Sequence, residues 1–291
     1  MSADQPWTIN RLLEWTTKFL GEKGAASPRL EAQVLLAHAL KCSRTALYTR
    51  FEDVPADAER AAFRELVQRR AKGSPVAHLV GRKEFFSLEF EVGPAVLVPR
   101  ADSEWLVTEC LTLAKPMSGP RILDVGTGSG CLTVALASQH KTAVVTATDL
   151  SADALAIARR NAARHKLGER IRFLEGDLFA PLPEGERFDF IVSNPPYIPT
   201  GVIPTLAAEV RDHEPRLALD GGGDGFAVID QLLAESPKYL EPGGYLLIEI
   251  GYDQEAEGRK RFEAGGWELG KTIQDAEGRA RVLRGRLREI V

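Results

Sequence analysis

The sequence predicts an α/β protein in which a parallel sheet, with helices on both faces, follows a small helical domain. From about Arg121 the chain alternates between apolar strand patterns and helix patterns, with glycine turns between them. The first eighty or so residues instead have helical periodicity, and a segment near residue 84 alternates with a period of two. We therefore predict a helical domain over residues 1–80, a β-hairpin linker over 81–99 and an α/β domain over 100–291.

The helical domain contains three predicted helices. Ser27 and Pro28 are a typical start for the second helix, and Asp57 is expected to cap the third. The hairpin that follows is rich in Phe and Val and has Gly93-Pro94 in its middle. The apolar face of the first helix consists of Ile9, Leu12, Leu13, Thr16, Phe19 and Leu20.

Composition narrows the function classes. The net charge of −4 is the opposite of what gripping duplex nucleic acid by its phosphates requires, although a local basic patch is not excluded. The three cysteines and five histidines have no metal-ligand spacing, so we expect no metal and a reduced compartment. The polar N-terminus does not resemble a signal peptide, and no stretch approaches the roughly 18 apolar residues that span a bilayer. We expect a cytoplasmic protein with no membrane or nucleic-acid partner.

A glycine-rich turn joins the strand "RILDV" to the helix "CLTVALASQH". Its spacing is G-x-G-x-G, whereas a dinucleotide-binding turn reads G-x-G-x-x-G. This form resembles the turn of S-adenosylmethionine (SAM) methyltransferases, and the cationic methionine end of SAM suits a nearby acid. A purely structural glycine turn is the alternative. The predicted cofactor residues here are Asp124, Gly126, Thr127, Gly128, Ser129 and Gly130.

Acids follow the next two predicted strands. Asp149, at the end of "VVTATDL", is well placed to accept hydrogen bonds from both ribose hydroxyls. Asp177, after the third strand, could accept from the adenine amino group, or could simply cap a helix. Leu178 beside it offers an apolar cover for the adenine.

The segment "FDFIVSNPPYIP" is a strand that runs into two prolines. Neither Pro195 nor Pro196 can donate to a sheet, so the strand must end and present Asn194 at the cofactor edge. An Asn-Pro-Pro-aromatic sequence here resembles methyltransferases that act on a planar nitrogen, either a base amine or a glutamine amide. The Asn194 oxygen and the Pro195 carbonyl could hold the two hydrogens of that nitrogen, and Tyr197 could stack on the planar group.

Longer motifs extend the resemblance from about residue 8 to residue 285. They are "PVAHLVGRKEFFSLEFEV", "LVPRADSEWLV", "ILDVGTGSG", "SNPPYI", "EPRLALDGGGDGF" and "LEPGGYLLIEIGYDQ". The sequence is similar to the protein-(glutamine-N5) methyltransferases that modify class 1 peptide chain release factors. The resemblance implies a Rossmann-like, seven-stranded methyltransferase domain with SAM as cofactor. It also implies methylation of the glutamine in a Gly-Gly-Gln motif, which modulates translation termination.

The resemblance also implies roles for particular residues. Gly126 to Gly130, Asp149 and Leu178 would hold SAM together with Asn194, and Asn194 to Tyr197 would hold the glutamine. Arg100, Asp102 and Glu104 would shape the pocket or meet the protein substrate, with surface salt bridges as the alternative. Separately, the change from helical period to hairpin near Glu84, with no chemistry before it, leads us to expect that the helical domain recognises the protein substrate.

Three other functions remain as alternatives. A ribosomal protein glutamine methyltransferase is the nearest. A DNA adenine methyltransferase would need a target-recognition region and a basic cleft, and neither is evident. A non-catalytic SAM-binding adaptor would have no need of the Asn194-Pro195-Pro196-Tyr197 geometry.

Overall fold

The computed structural model describes residues 6–287. Residues 1–5 and 288–291, which fall within the predicted domain limits, lie outside the described residues. The chain forms two compact units. The first extends to Gly81 and also contains Ala207–His213; the second contains Arg82–Leu206 and the chain from Glu214 onwards.

The first unit is helical. Its helix α4 begins at Asp57, with Ala56 rather than Asp57 as the N-cap, and the Glu59 side chain accepts from the Ala56 amide at 2.8 Å. Asp57 was expected to be the N-cap of this helix. It is instead the first residue inside the helix, so that expectation is wrong. A short helix between the second and third predicted ones was not expected. The helices are α1 (Ile9–Glu22), α2 (Pro28–Ala39), α3 (Arg44–Thr49), α4 (Asp57–Ala71) and α5 (Val76–Val80).

The second unit begins with the expected hairpin, whose strands are β1 (Arg82–Phe85) and β2 (Leu88–Glu91). The chain reverses at Phe86 and Ser87, which have φ values of +50° and +59°. The turn was expected near Gly93-Pro94, and that expectation is wrong. A contact from outside the hairpin fixes the turn at Phe86. The Glu104 carboxylate accepts a hydrogen bond from the Phe86 amide at 2.8 Å.

A mainly parallel sheet forms the body of the second unit. Its seven strands run in the order β5-β4-β3-β6-β7-β10-β8, and the short strand β9 pairs with β10. Strands β3 to β7 are parallel, and β10 is antiparallel to its neighbours. After α6 (Glu104–Ala114) the elements are β3 (Arg121–Val125), α7 (Cys131–Gln139), β4 (Val144–Asp149), α8 (Ala152–Arg164), β5 (Ile171–Glu175), β6 (Phe188–Ser193), α9 (Ala208–Arg211, part of the first unit), α10 (Ala227–Glu235), β7 (Leu240–Glu249), α11 (Glu255–Ala264), β8 (Trp267–Leu269), β9 (Ile273–Gln274) and β10 (Ala280–Leu287).

The strand order places the functional motifs. From β3 the chain builds outward through β4 to β5, and then returns to the other side of β3 as β6. In open α/β sheets a ligand crevice forms where the strand order reverses, beyond the carboxyl ends of the strands. Here the reversal lies between β3 and β6, so the glycine turn and Asn194 flank that crevice.

Apolar residues cover both faces of the sheet. One buried cluster contains Leu132, Val145 and Phe190, and the other contains Leu123, Ile191 and Leu246. The α/β fold class is confirmed. In the region from residue 6 to 287, every helix is too short or too polar to cross a membrane.

Candidate active site

A cleft opens at the carboxyl ends of β3, β4 and β6 within the second unit. Among the predicted site residues, it is lined by Arg100, Gly126, Thr127, Gly128, Ser129, Asp149, Asp177, Leu178, Asn194, Pro195 and Pro196. Ser103 and the apolar residues Val96 and Leu97, which were not predicted, also line it. The five others, Asp102, Glu104, Asp124, Gly130 and Tyr197, do not line it.

The glycine turn is fixed to the neighbouring strand by its backbone. The amides of Gly126 and Thr127 donate to the Thr148 carbonyl at 2.9 and 3.0 Å. Gly126 and Gly128 have φ values of +76° and +55°, and no atom lies within 4 Å of where their Cβ atoms would be. The backbone is therefore bare toward the cleft, which allows close approach of a ligand.

Gly130 and Asp124 support this turn from behind. A Cβ on Gly130 would lie 3.0 Å from the Ala158 Cβ, so this glycine allows α8 to pack closely. The Asp124 carboxylate accepts from the hydroxyls of Thr127 and Thr133 at 2.7 and 2.6 Å. Burial raises the pKa of Asp124 to about 6. Its negative charge lies beneath the turn and not on the cleft wall.

Asp149 connects the turn to the next helix. Its carboxylate accepts from the Gly128 amide at 2.8 Å and from the Ser151 amide at 2.9 Å. Burial raises the pKa of this group, while the two amide hydrogen bonds oppose the shift. Asp149 therefore lies in the cleft with its orientation fixed.

The chain after β5 contributes Asp177 and Leu178. Turns, not a helix, follow β5, so the helix-cap alternative for Asp177 has no helix to cap. Leu178 has φ = +43°, a left-handed conformation that is strained for a branched side chain. Strained residues of this kind are concentrated at ligand sites, and Leu178 lines the cleft.

Asn194 follows β6 directly. Its side-chain nitrogen donates to the Ser103 hydroxyl at 3.1 Å, and Ser103 is only 2% exposed. Ser103 stands just before α6 in the motif "PRADSE", and its contact with Asn194 was not anticipated.

The Pro195–Ile198 backbone is held by the glycine-rich run and by Gln254. The Gly221 amide donates to the Ile198 carbonyl at 2.9 Å, and the Gln254 side chain donates to the Tyr197 carbonyl at 3.0 Å. A Cβ on Gly221 would lie 2.8 Å from the Pro196 carbonyl oxygen. The motifs "GGGDG" and "GYDQ" pointed to these residues but not to this role.

Tyr197 is not among the residues that line the cleft, and its stacking on a target group stays a prediction. Its ring packs against the apolar cluster that contains Ile248 and Ile250. Burial, and then the charge of Glu249, raise its pKa. Pro195 and Pro196 of the same loop line the cleft instead. Glu249, at the end of β7, is 1% exposed, and burial raises its pKa to about 7.

The three charged residues of "PRADSE" all have partners within the second unit. Arg100 pairs with Glu214 through two contacts of 2.6 and 2.7 Å. Asp102 pairs with Arg281 at 2.9 Å, and Glu104 binds the hairpin turn. Only Arg100 also lines the cleft. No cluster of three metal-ligating side chains occurs between residues 6 and 287.

Fold and cleft together define an SAM-dependent methyltransferase. The family described as PrmC N-terminal domain matches residues 11–81, and the family described as methyltransferase small domain matches residues 103–223. The catalytic domain of hMettl16, solved with an RNA hairpin, has the same fold at a TM-score of 0.58 and 15% identity. That match covers 78% of this chain and 84% of the other.

Curated relatives give the particular family. The release factor glutamine methyltransferases of Rhodopirellula baltica and Geobacter sulfurreducens are each 45% identical to this chain. Each match covers 97% of this chain and 97% of the relative. The chain belongs to the release factor glutamine methyltransferase family.

Proposed function

We propose that this protein transfers a methyl group from SAM to the side-chain nitrogen N5 of a glutamine in the Gly-Gly-Gln motif of class 1 release factors. The observation that carries the proposal is the shared cleft of Asn194 and the Gly126–Gly130 turn. Asn194 would accept a hydrogen bond from the target nitrogen on one side of the cleft. The glycine turn would bind the cofactor on the other side.

The residues of the cleft fit SAM. Gly126 and Gly128 leave open space where side chains would be, and Asp149 offers a carboxylate to hydroxyl groups. Leu178 provides an apolar surface, and the Asp124 charge beneath the turn favours a cationic ligand end. When bound, SAM supplies an electrophilic methyl group carried on a sulfonium.

The protein's own contribution is to orient the target nitrogen. A glutamine amide nitrogen is a poor nucleophile because its lone pair is delocalised. The Asn194 side-chain oxygen and the Pro195 carbonyl accept the two hydrogens of that nitrogen and direct it at the methyl group. Both carbonyl dipoles stabilise the positive charge that develops on nitrogen during transfer. The surplus proton leaves afterwards, so no general base is needed first.

Preorganisation of the acceptor loop supports this role. Pro195 and Pro196 restrict the backbone, and Gln254 and Gly221 hold it through the contacts of 3.0 and 2.9 Å. Little conformational freedom is then lost when the substrate binds, which favours the transition state.

Incubation with labelled SAM tests the proposal. We expect label on a purified release factor, one added methyl on its Gly-Gly-Gln glutamine by mass spectrometry, and no gain after Gln→Glu replacement in the factor. Label on a ribosomal protein or on DNA adenine, with none on the factor, would favour an alternative. A short Gly-Gly-Gln peptide should be a much worse substrate than the folded factor, because it lacks remote binding contacts.

We further propose that the first unit recognises the protein substrate. It exposes an aromatic pair on or beside α1, with Trp7 and Trp15 at 37% and 43% exposure and Trp15 stacked on Phe19 at 4.9 Å. Aromatic side chains of this kind are typical of interface anchors. Trp15→Ala should raise KM for the folded factor and leave KM for the peptide unchanged, with Val144→Ala as a control. An equal change in KM for the folded factor and for the peptide would contradict a role of the first unit in recognising the protein substrate.

A further inference from the structure

One side chain of α8 contacts both the hairpin and the glycine turn. The Asn161 side-chain nitrogen donates to the Ser129 carbonyl at 2.9 Å and to the Glu91 carbonyl at 3.0 Å. Its side-chain oxygen accepts from the Glu91 amide at 2.7 Å. Asn161 therefore joins the last residue of β2 to the turn that we propose binds the cofactor.

The orientation of the Asn161 amide is determined by its partners. An asparagine amide has two N–H hydrogens and an acceptor oxygen, and here two carbonyls take the hydrogens while a backbone N–H meets the oxygen. A flipped amide would set a donor against a donor and an acceptor against two acceptors. Asn161 is 0% exposed. Its removal would therefore leave buried backbone groups without a partner, which is costly.

The peptide between Ser129 and Gly130 is held at both of its polar atoms. Asn161 binds its carbonyl oxygen, and its N–H donates to the Thr127 carbonyl at 2.9 Å. Ala158, three residues before Asn161 on α8, packs against Gly130 from the same helix. Gly130 has φ = +78°, and a glycine leaves the adjoining peptide many conformations unless its neighbours restrict them. The contacts from α8 supply that restriction.

The Glu91 contacts fix the start of another part of the cleft. Shortly after Glu91 the chain reaches Ala95, Val96 and Leu97, all of which line the cleft, as does Ser129. By accepting from the Glu91 amide and donating to its carbonyl, Asn161 takes the place of a neighbouring strand at the end of β2. A single buried amide thus connects the glycine turn to the chain that forms a second part of the cleft wall.

We propose that Asn161 is a positioning residue for the cofactor, and that it keeps the cleft in a conformation ready to bind SAM. Its hydrogen bonds hold the Ser129 peptide and the chain after β2 in a fixed relation before the ligand arrives. The inference rests on the proposed function, because it assumes that the glycine turn binds SAM. Asn161 itself does not line the cleft, so it acts through the turn.

A preformed turn raises affinity because less conformational freedom is lost on binding. If the turn is in place in only about a tenth of the molecules, the apparent affinity falls by about tenfold.

The test uses Asn161→Asp and Asn161→Ala. The aspartate keeps the shape and the acceptor for the Glu91 amide, but sets a carboxylate against two carbonyls. We expect each variant to bind SAM roughly tenfold or more weakly in calorimetric titration at a temperature where it is fully folded. The KM for SAM should rise in parallel, while kcat at saturating SAM stays within about threefold.

Two control variants separate this role from general effects on structure. Arg160→Ala removes the neighbouring contact of α8 with the Glu91 carboxylate, at 2.7 Å, but leaves the Ser129 bond intact. Val282→Ala truncates a fully buried side chain of β10 that does not line the cleft. The second control should lower the free energy of unfolding, and both should bind SAM within about twofold of wild type, because neither alters the turn.

Hydrogen exchange of the ligand-free protein gives a readout that does not depend on activity. Residues 124–131 should exchange faster in both Asn161 variants than in wild type, and Arg160→Ala should leave their exchange unchanged. Wild-type affinity and exchange in Asn161→Asp would overturn the inference. An equal loss of affinity in Arg160→Ala would also overturn it, because holding the hairpin would then be sufficient. Wild-type protein that binds no SAM would instead refute the proposed function.

Discussion

The side-chain amide of Gln254 joins two loops at the edge of the sheet. Its nitrogen donates to the Tyr197 carbonyl at 3.0 Å, and its oxygen accepts from the Gly251 amide at 2.9 Å. Gln254 is 8% exposed. The loop that carries Asn194 and Pro195 is thereby connected to the chain after β7, although Gln254 has no contact with the cleft.

Gln254→Ala should reduce kcat by roughly tenfold or more, because a small displacement of positioned groups is costly to catalysis. Binding of SAM should be nearly unchanged, since the cofactor turn is on the other side of the cleft. Steady-state kinetics and calorimetric titration measure the two effects. Asp253→Ala, an exposed neighbour, should behave as wild type. Equal kcat values for the two variants would show that the loop keeps its shape without Gln254.

Gly225→Ala should destabilise the protein by roughly 2–4 kcal/mol and reduce turnover. Gly225 has φ = +84°, and an added Cβ would collide with the Tyr197 carbonyl oxygen. Gly223→Ala is the matched control, because no atom lies within 4 Å of its Cβ position and its φ is not left-handed. Chemical denaturation should give a lower free energy of unfolding for Gly225→Ala than for Gly223→Ala. Equal values would contradict the close approach of Gly225 to the Tyr197 carbonyl.

Asp149→Ala should weaken binding of SAM, or of its demethylated product, by roughly 1.5–3 kcal/mol. The variant loses the carboxylate offered to the ligand and the hydrogen bond that orients the Gly128 amide at 2.8 Å. Asp153→Ala, on the exposed side of the first turn of α8, is the control. Calorimetric titration that gave equal affinities for both variants would exclude Asp149 from the cofactor site.

Asn194→Ala should bind SAM almost normally but lose turnover by roughly a hundredfold. The amide oxygen of Asn194 acts on the target nitrogen mainly in the transition state, so kcat should change more than either binding constant. Single-turnover kinetics with labelled SAM measure this directly. Normal turnover by the variant would refute the mechanism.

Glu249→Gln should make the protein more stable at pH 8. Burial raises the pKa of Glu249 from its ordinary 4.5 to about 7, so the folded state binds this proton more tightly than the unfolded state. Stability from this group is present below about pH 4.5 and is lost as the pH rises to about 7. At pH 8 the loss is up to roughly 3 kcal/mol, and the glutamine variant should avoid it. The variant's advantage in free energy of unfolding should therefore be small at pH 5 and grow toward pH 8; no change with pH would contradict the buried charge.

The parts of the molecule that could be predicted from the sequence are those encoded by neighbouring residues. The glycine turn, Asp149 and Asn194 each lie at or just after the end of a strand, and parallel strands bring these ends to one edge. Ser103 and Gln254 were missed because their contacts with the Asn194 loop arise only when distant segments meet. Tyr197 was expected to stack on the target group because it belongs to the Asn-Pro-Pro-aromatic motif. Its ring packs against the apolar cluster that contains Ile248 and Ile250.

The hairpin shows the same limit. Gly93-Pro94 is the stronger local turn signal, yet the chain reverses at Phe86 and Ser87, where Glu104 supplies a hydrogen bond from farther along the chain. The antiparallel strands after β7 were not predicted either. Strands β8 and β9 are short, and the pairing of β10 with β9 is interrupted by a shift in register. These strands pair at the edge of a sheet that the preceding chain forms.

The inclusion of residues 207–213 in the first unit has a consequence for biosynthesis. The Arg70 guanidinium is paired with Glu31 at 2.7 Å and with Glu209 at 2.8 Å. A nascent chain cannot complete this cluster until the ribosome has translated well beyond the Asn194 motif. The amino-terminal helices therefore emerge first, but the second partner of Arg70, Glu209, is translated only after strands β3 to β6. Closing so long a loop is entropically slow, so final assembly of the helical unit should follow, rather than lead, the synthesis of strands β3 to β6.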